Sequence, residues 1–254
     1  MNKVLRISKI VIGVAMYVVF LLLMGQHLIY GSDHEWLGLT LFVLFFVHTA
    51  LNYRWYLALF KGKYTPVRIL QTAVDVLLLA AMILCIYSSM KISGTVFEWM
   101  DLSGTALGRK LHLITTAWSF VLMSCHVGLH WSSVVALGRK IRMPAKAKNV
   151  VTWILRVLVI AVSAFGVYIF IGRKFYEEMF LLTMYKWYNY NTHVFPYLIQ
   201  SAAMSAVFIA LFYYVKKAML SLFAKKPRCR AGEQATDPSV PQETGSPAKD
   251  EENA

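Results

Sequence analysis

Six apolar stretches, each close to the length that crosses a lipid bilayer, recur along this chain and leave few folds open to it. They run from Ile10 to Tyr30, Trp36 to Tyr53, Ile69 to Met90, Leu111 to Leu137, Val150 to Ile171 and Val194 to Val215. A helix rises about 1.5 Å per residue, so roughly 20 apolar residues span a hydrocarbon core of about 30 Å. Lipid offers no partner to a backbone N–H or C=O, and for continuous apolar runs the helix is the structure that pairs them internally. The sequence therefore predicts an all-α integral membrane bundle of six transmembrane helices over residues 1–223. Composition agrees: 58% of residues are hydrophobic and 15% charged, against roughly 45–50% apolar and about 25% charged in soluble domains.

The first stretch follows Lys3, Arg6 and Lys9 as a signal peptide would, but its apolar part is long and no small-residue cleavage site follows it. An uncleaved signal-anchor helix is expected. With the N-terminus inside, nineteen lysines and arginines fall in cytoplasmic segments and six in outer ones, and Arg156 alone lies within a span. Cytoplasmic loops accumulate these residues, so a multi-pass protein of the plasma (inner) membrane with both termini in the cytoplasm is predicted. The net charge of +13 then reflects topology, and no basic motif stands apart from the helix ends to suggest a nucleic-acid partner. Residues 224–254 begin basic, become rich in Pro, Ser and Glu and end acidic, the composition of a disordered cytoplasmic tail. Between the fifth and sixth stretches, residues 175–190 include Met184, Tyr185, Trp187, Tyr188 and Tyr190. They read as an aromatic belt at the outer interface, with a docking surface or quinone-site lid as the sharper alternative.

Chemistry enters with the histidines. His34 and His48 lie fourteen residues apart on the second stretch, and His112 and His126 repeat that interval on the fourth. On a helix this separation is about 21 Å and returns the side chain to within about 40° of the same face. The two stretches cross in the same direction, so His34 is expected to face His112 toward the outer side and His48 to face His126 toward the inner side. Intramembrane histidine is costly and marks function, and facing imidazoles inside a helix bundle suit axial ligation of haem iron. Two haem b groups are expected, held without covalent attachment because no C-x-x-C-H motif is present. His130, one turn beyond His126, is the alternative inner ligand; the repeated interval favours His126. Arg109 and Lys110 precede His112, while Asn52, Arg54 and Trp55 follow His48, and the cations are placed to meet haem propionates. Arg54 fits ordinary positive-inside flanking equally well. Gly38 and Gly128 would leave room for a porphyrin. Asp75 and Arg156, charged residues within spans, are expected to pair with each other. Proton uptake at Asp75, or a propionate contact for Arg156, is the alternative.

Cys85, Cys125 and Cys229 form no disulfide framework or iron–sulfur set, and no nucleotide fingerprint, nucleophile elbow or H-E-x-x-H motif occurs. No substrate-oxidising domain is expected in this chain.

The run His34-Glu35-Trp36-Leu37-Gly38, with His48 and Asn52-Tyr53-Arg54-Trp55 after it, resembles the flavinylation-associated cytochrome domain. His112, His126 and His130-Trp131 resemble that domain's second histidine helix. The resemblance covers roughly residues 10–137 and leaves the last two stretches and the tail outside it. It implies a multi-span b-type cytochrome that passes electrons to an extracytoplasmic flavoprotein carrying covalently attached flavin mononucleotide. The paired intervals also look like those of the cytochrome b of quinol-oxidising complexes, in architecture only. The leading expectation is thus a di-haem electron-conducting subunit, working between a quinol or cytoplasmic donor and an extracytoplasmic, flavin-bearing acceptor. Quinone is a further candidate cofactor, and membrane lipid surrounds the bundle. Two other classes stay open. One is a histidine-lined metal or proton transporter, which asks for carboxylates or thiolates beside the histidines where the sequence shows only Cys125. The other is a membrane anchor or assembly subunit of a redox complex.

Overall fold

A computed structural model describes residues 3–25, 28–29, 31–100, 106–138, 144–183 and 193–223. Among the described residues the secondary structure is helical, without strands: α1 (Lys3–Leu23), α2 (Ser32–Leu51), α3 (Tyr53–Ala58), α4 (Pro66–Ile92), a 3₁₀ turn (Glu98–Met100), α5 (Ala106–Gly138), α6 (Ala145–Gly172), α7 (Phe175–Met179) and α8 (Val194–Leu222). The six helices α1, α2, α4, α5, α6 and α8 are long and apolar enough to cross a membrane. The chain is a multi-pass membrane protein.

Each long helix corresponds to one predicted stretch, and most outrun it. α1 begins at Lys3 rather than Ile10, and α8 continues through Lys216 and Lys217 to Leu222. Hydropathy falls where the helix leaves the hydrocarbon, but the backbone hydrogen bonds have no reason to stop there. α2 ends two residues short of Tyr53, and α1 falls further short at its far end. It stops at Leu23, short of Tyr30, in a turn where the Gly25 carbonyl accepts from the backbone N–H of Leu28 (2.8 Å) and Ile29 (3.0 Å). α4 starts where its sequence says it should: Pro66 takes the first turn, and the Thr65 side chain accepts from Arg68 N–H at 3.3 Å. The Arg68 guanidinium donates to the carbonyls of Ala58 (2.7 Å) and Lys61 (2.6 Å), tying the α3 connection to α4.

α5 forms the centre. It packs against α4 and α8, α8 packs against α6, and α1 joins α2 and α8. Ala117, Phe120, Val121, Cys125 and Leu129 of α5 are buried. Helices in lipid associate through close packing and polar contacts rather than through hydrophobic exclusion, and both devices are present. Ser124 donates to the Phe120 carbonyl (2.7 Å) and lies 2.8 Å from Ser205 Oγ, which accepts from Tyr17 OH (2.9 Å), so a polar clasp joins α1, α5 and α8. Gly166 lets α6 approach the α8 backbone at Ala203. On the outside of the bundle, Trp153, Ile154, Val157, Leu158 and Ile160 of α6 are exposed, as a lipid-facing surface requires.

The aromatic segment after α6 is only partly a surface. Phe175 and Met179 are buried, Phe175 meets Phe120 edge-to-face with ring centroids 5.3 Å apart, and Trp118 Nε1 donates to the Met179 carbonyl at 3.0 Å. Its start therefore belongs to the core. Residues 184–190, the predicted interfacial aromatics, lie outside the described residues, as do His27 and the tail 224–254.

Candidate functional site

The pairing of α4 with α5 builds the site. Ser89 Oγ lies 3.1 Å from His112 Nδ1, Cys85 Sγ lies 3.6 Å from Thr116 Oγ1, and Asp75 Oδ1 lies 2.6 Å from His126 Nδ1. Every step down α4 is matched by an equal step up α5, one antiparallel register. The fourteen-residue interval of the α5 histidines is thus mirrored on α4 by Ser89 and Asp75. These contacts fix the tautomers. Ser89 Oγ donates its own hydrogen to the Cys85 carbonyl (2.8 Å), so it accepts from His112 Nδ1–H. A carboxylate is an acceptor only, so Asp75 accepts from His126 Nδ1–H. Both α5 imidazoles are left with the Nε2 lone pair available, the arrangement of metal-ligating histidines whose other nitrogen is held by a neighbouring group.

At one level the rings of His34 and His112 face each other with centroids 6.4 Å apart and planes at 82°. A metal–nitrogen bond of about 2 Å on each side, with roughly 1 Å from nitrogen to ring centre, sets two imidazoles sharing one ion about 6 Å apart, which this spacing fits. α2 packs closely on α1, whereas α5 is not among its close backbone neighbours. The two histidines therefore approach each other from helices that are not closely packed backbone to backbone. His34 Nδ1 and His48 Nδ1 are buried without a hydrogen-bond partner, which a buried nitrogen rarely tolerates.

At the other level His48 lies within electrostatic reach of His126 and Asp75. The His126 and His130 rings are 4.7 Å apart at 48°. Asp75, His126 and His130 each present a ligand atom within 4.8 Å of the others. His130 is exposed and, with Asp75, lines an open cleft of about 350 Å³ shared with Trp55, Arg68, Gln71 and Thr72. Both candidates for this level thus sit together, and His126 is the one whose ring is fixed by a carboxylate.

Three sequence expectations are corrected. Asp75 pairs with His126, not Arg156. Arg156 is exposed on α6, its guanidinium 5.5 Å from the Trp153 ring centre, because α6 packs on α8 and not on α4. The histidines also have more than Cys125 beside them: α4 brings the Asp75 carboxylate to His126 and the Cys85 thiol within 4.0 Å of His112 Nδ1. Finally, Gly128 does not clear space for a porphyrin. A Cβ there would sit 2.5 Å from the Ile209 carbonyl oxygen and 3.0 Å from its Cα, so Gly128 admits the α8 backbone. Gly38 differs, since nothing lies within 4 Å of an added Cβ.

The remaining predicted residues sit at the helix ends. Asn52 Nδ2 donates to the His48 carbonyl (2.8 Å) while its Oδ1 accepts from Lys9 Nζ (3.1 Å), so the asparagine four residues after His48 ends α2 and ties it to α1. Arg54 is exposed, its Nε 3.4 Å from Tyr53 OH. Arg109 and Lys110 are exposed near the start of α5, within one turn of His112. His193 is exposed ahead of α8. Glu35 went unassigned in the sequence. Its carboxylate accepts from Ser93 Oγ (2.6 Å) and from the N–H groups of Gly94 (3.0 Å), Thr95 (3.0 Å) and Val96 (2.9 Å). That clamp fixes the start of α2, beside His34, to the end of α4.

Fold and site together define a multi-pass helical membrane protein with two histidine levels along one pair of helices. No family model, curated protein or solved structure matches the chain.

Proposed function

We propose that this protein is a di-haem b-type membrane cytochrome, with His34 and His112 holding one haem and His48 and His126 the other. The observation that carries the reading is the His34–His112 pair, its ring centroids 6.4 Å apart between α2 and α5, with His112 Nε2 freed by its Nδ1 contact to Ser89. Bound haem supplies reversible one-electron chemistry at iron. The protein does the rest. Two histidines per level leave no open coordination position, which favours electron transfer over oxygen or small-substrate chemistry. Ser89 and Asp75 orient the α5 rings, while Glu35 and Asn52 hold the two ends of α2. Arg109, Lys110 and Arg54 offer cations at the membrane faces for propionates, and Gly38 leaves the α2 face open one turn from His34.

The distribution of basic residues supports cytoplasmic termini, and residence in the plasma membrane is part of the proposal. Electrons would pass between a quinol or cytoplasmic donor and an extracytoplasmic acceptor. The resemblance to flavinylation-associated cytochromes makes a protein bearing flavin mononucleotide the acceptor of choice. A second reading draws on the Asp75, His126 and His130 ligand atoms: a transition-metal or proton pathway in which these three side chains act together.

A pyridine haemochrome assay on the purified full-length protein, with haem-to-protein stoichiometry and elemental analysis, separates them. Two haems per chain are expected. One haem would leave a single histidine pair as ligands, and no haem together with one bound transition-metal ion would favour the second reading.

A further inference from the structure

The two α5 histidines receive unlike partners from α4, one an anion and the other a neutral hydroxyl. We infer that Asp75 sets the two levels at unequal reduction potentials, the His48–His126 site below the His34–His112 site, and so directs electrons from the first toward the second. The inference rests on the di-haem reading and adds a direction to it.

A hydrogen bond to the far nitrogen of a ligating imidazole raises the basicity of the ligating nitrogen, and hydrogen bonding around the ligands is one of the protein's levers on potential. The more electron density the imidazole donates, the more the oxidised iron is favoured and the lower the potential falls. Asp75 accepts from His126 Nδ1–H at 2.6 Å, a charge-assisted bond to the ring itself. Ser89 accepts from His112 Nδ1–H at 3.1 Å with no formal charge. Charge-assisted hydrogen bonds are roughly twice as strong as neutral ones. The two serve as positioning residues for their histidines and differ in the charge they bring.

Other charges lie near these two levels. Lys9 and Lys216 act on the same level as Asp75, on His48 and His130 respectively, and oppose it. Lys9 Nζ donates to Asn52 Oδ1 and Lys216 Nζ to the Leu129 carbonyl, so neither touches His126. At the other level Glu35 acts on His34 and opposes the ordering, but its carboxylate is bonded to Ser93 and the backbone after α4, not to a ring nitrogen of a histidine. Arg109 and Lys110, exposed on the turn before His112, carry charge of the sign that favours the inferred ordering. The step itself is a one-electron exchange: one site is oxidised as the other is reduced, and no bond forms or breaks.

The test is a spectroelectrochemical titration of the reduced α-band on the full-length protein in lipid nanodiscs. His34→Ala and His48→Ala, each retaining one level, assign the midpoints. The expected result is two midpoints, the lower surviving in His34→Ala and the upper in His48→Ala. Asp75→Asn should raise the lower midpoint and leave the upper in place. Ser89→Asp should lower the upper midpoint, and it keeps the inference testable where Asp75→Asn loses haem. Two bound haems with the assignment reversed, or with midpoints unmoved by both charge variants, would overturn the inference and leave the cytochrome reading intact. A protein that binds no haem overturns both.

Discussion

The imidazoles of His34 and His112 stand nearly perpendicular, their planes at 82° and their centroids 6.4 Å apart. On a shared iron, crossed axial rings give a strongly anisotropic low-spin ferric signal, whereas parallel rings give a rhombic one. Frozen, oxidised protein should show the anisotropic form in its electron paramagnetic resonance spectrum. His112→Ala should remove that signal and lower the haem content from two to one, because only one iron loses an axial ligand. A purely rhombic spectrum, or loss of both haems in this variant, counts against the pairing.

His126 and His130 offer a sharper choice. Their rings are 4.7 Å apart, so proximity alone does not select between them. The carboxylate does: Asp75 fixes His126 at 2.6 Å, while His130 opens onto the cleft. His126→Ala should lose the haem of the His48 level, and His130→Ala should keep both haems with a shifted midpoint at that level from an altered environment. Retention in the first variant and loss in the second would move the ligand one turn along α5.

How much of this was legible depended on whether the signal was local. The six helices could be read from hydropathy because lipid removes the competing backbone structures. The matched histidines could be read because the helical period returns residues fourteen apart to one face. Asp75 could not be placed, since its partner depends on whether α4 pairs with α5 or with α6, and depth in the membrane is the same for both. Short connections favour antiparallel neighbours, and sliding α4 along α5 in antiparallel register would have set Asp75 opposite His126 and Ser89 opposite His112 together. The Glu35 clamp was beyond reach for a different reason: three of its four donors are backbone N–H groups of a loop, whose direction no residue type announces.

Topology is tested apart from any cofactor. Nineteen basic residues against six predict a cytoplasmic N-terminus. Reporter fusions after Gly31 and after Gly172 should report the outside, and a fusion after Lys63 the inside. The reverse pattern would exchange the two faces. It would also reverse the physical direction of electron flow across the membrane without changing which site has the lower potential.

Gly38 and Gly128 were expected to do the same thing, and the structure separates them. A side chain at Gly128 meets the Ile209 backbone and Phe212 Cβ, whereas one at Gly38 meets nothing within 4 Å. Backbone on the facing helix cannot rotate aside as a side chain can, so Gly128→Leu must push α5 and α8 apart. Overpacking of this kind costs about 1–3 kcal/mol or more, and the apparent Tm should fall by several degrees whether or not haem is supplied. Gly38→Leu should leave the Tm of haem-free protein unchanged. If the open face of α2 accommodates a porphyrin, the same substitution should lower haem content at the His34 level and spare the His48 level. Measuring Tm with and without haem for both variants separates a packing glycine from a clearance glycine, and equal behaviour of the two would refute the distinction.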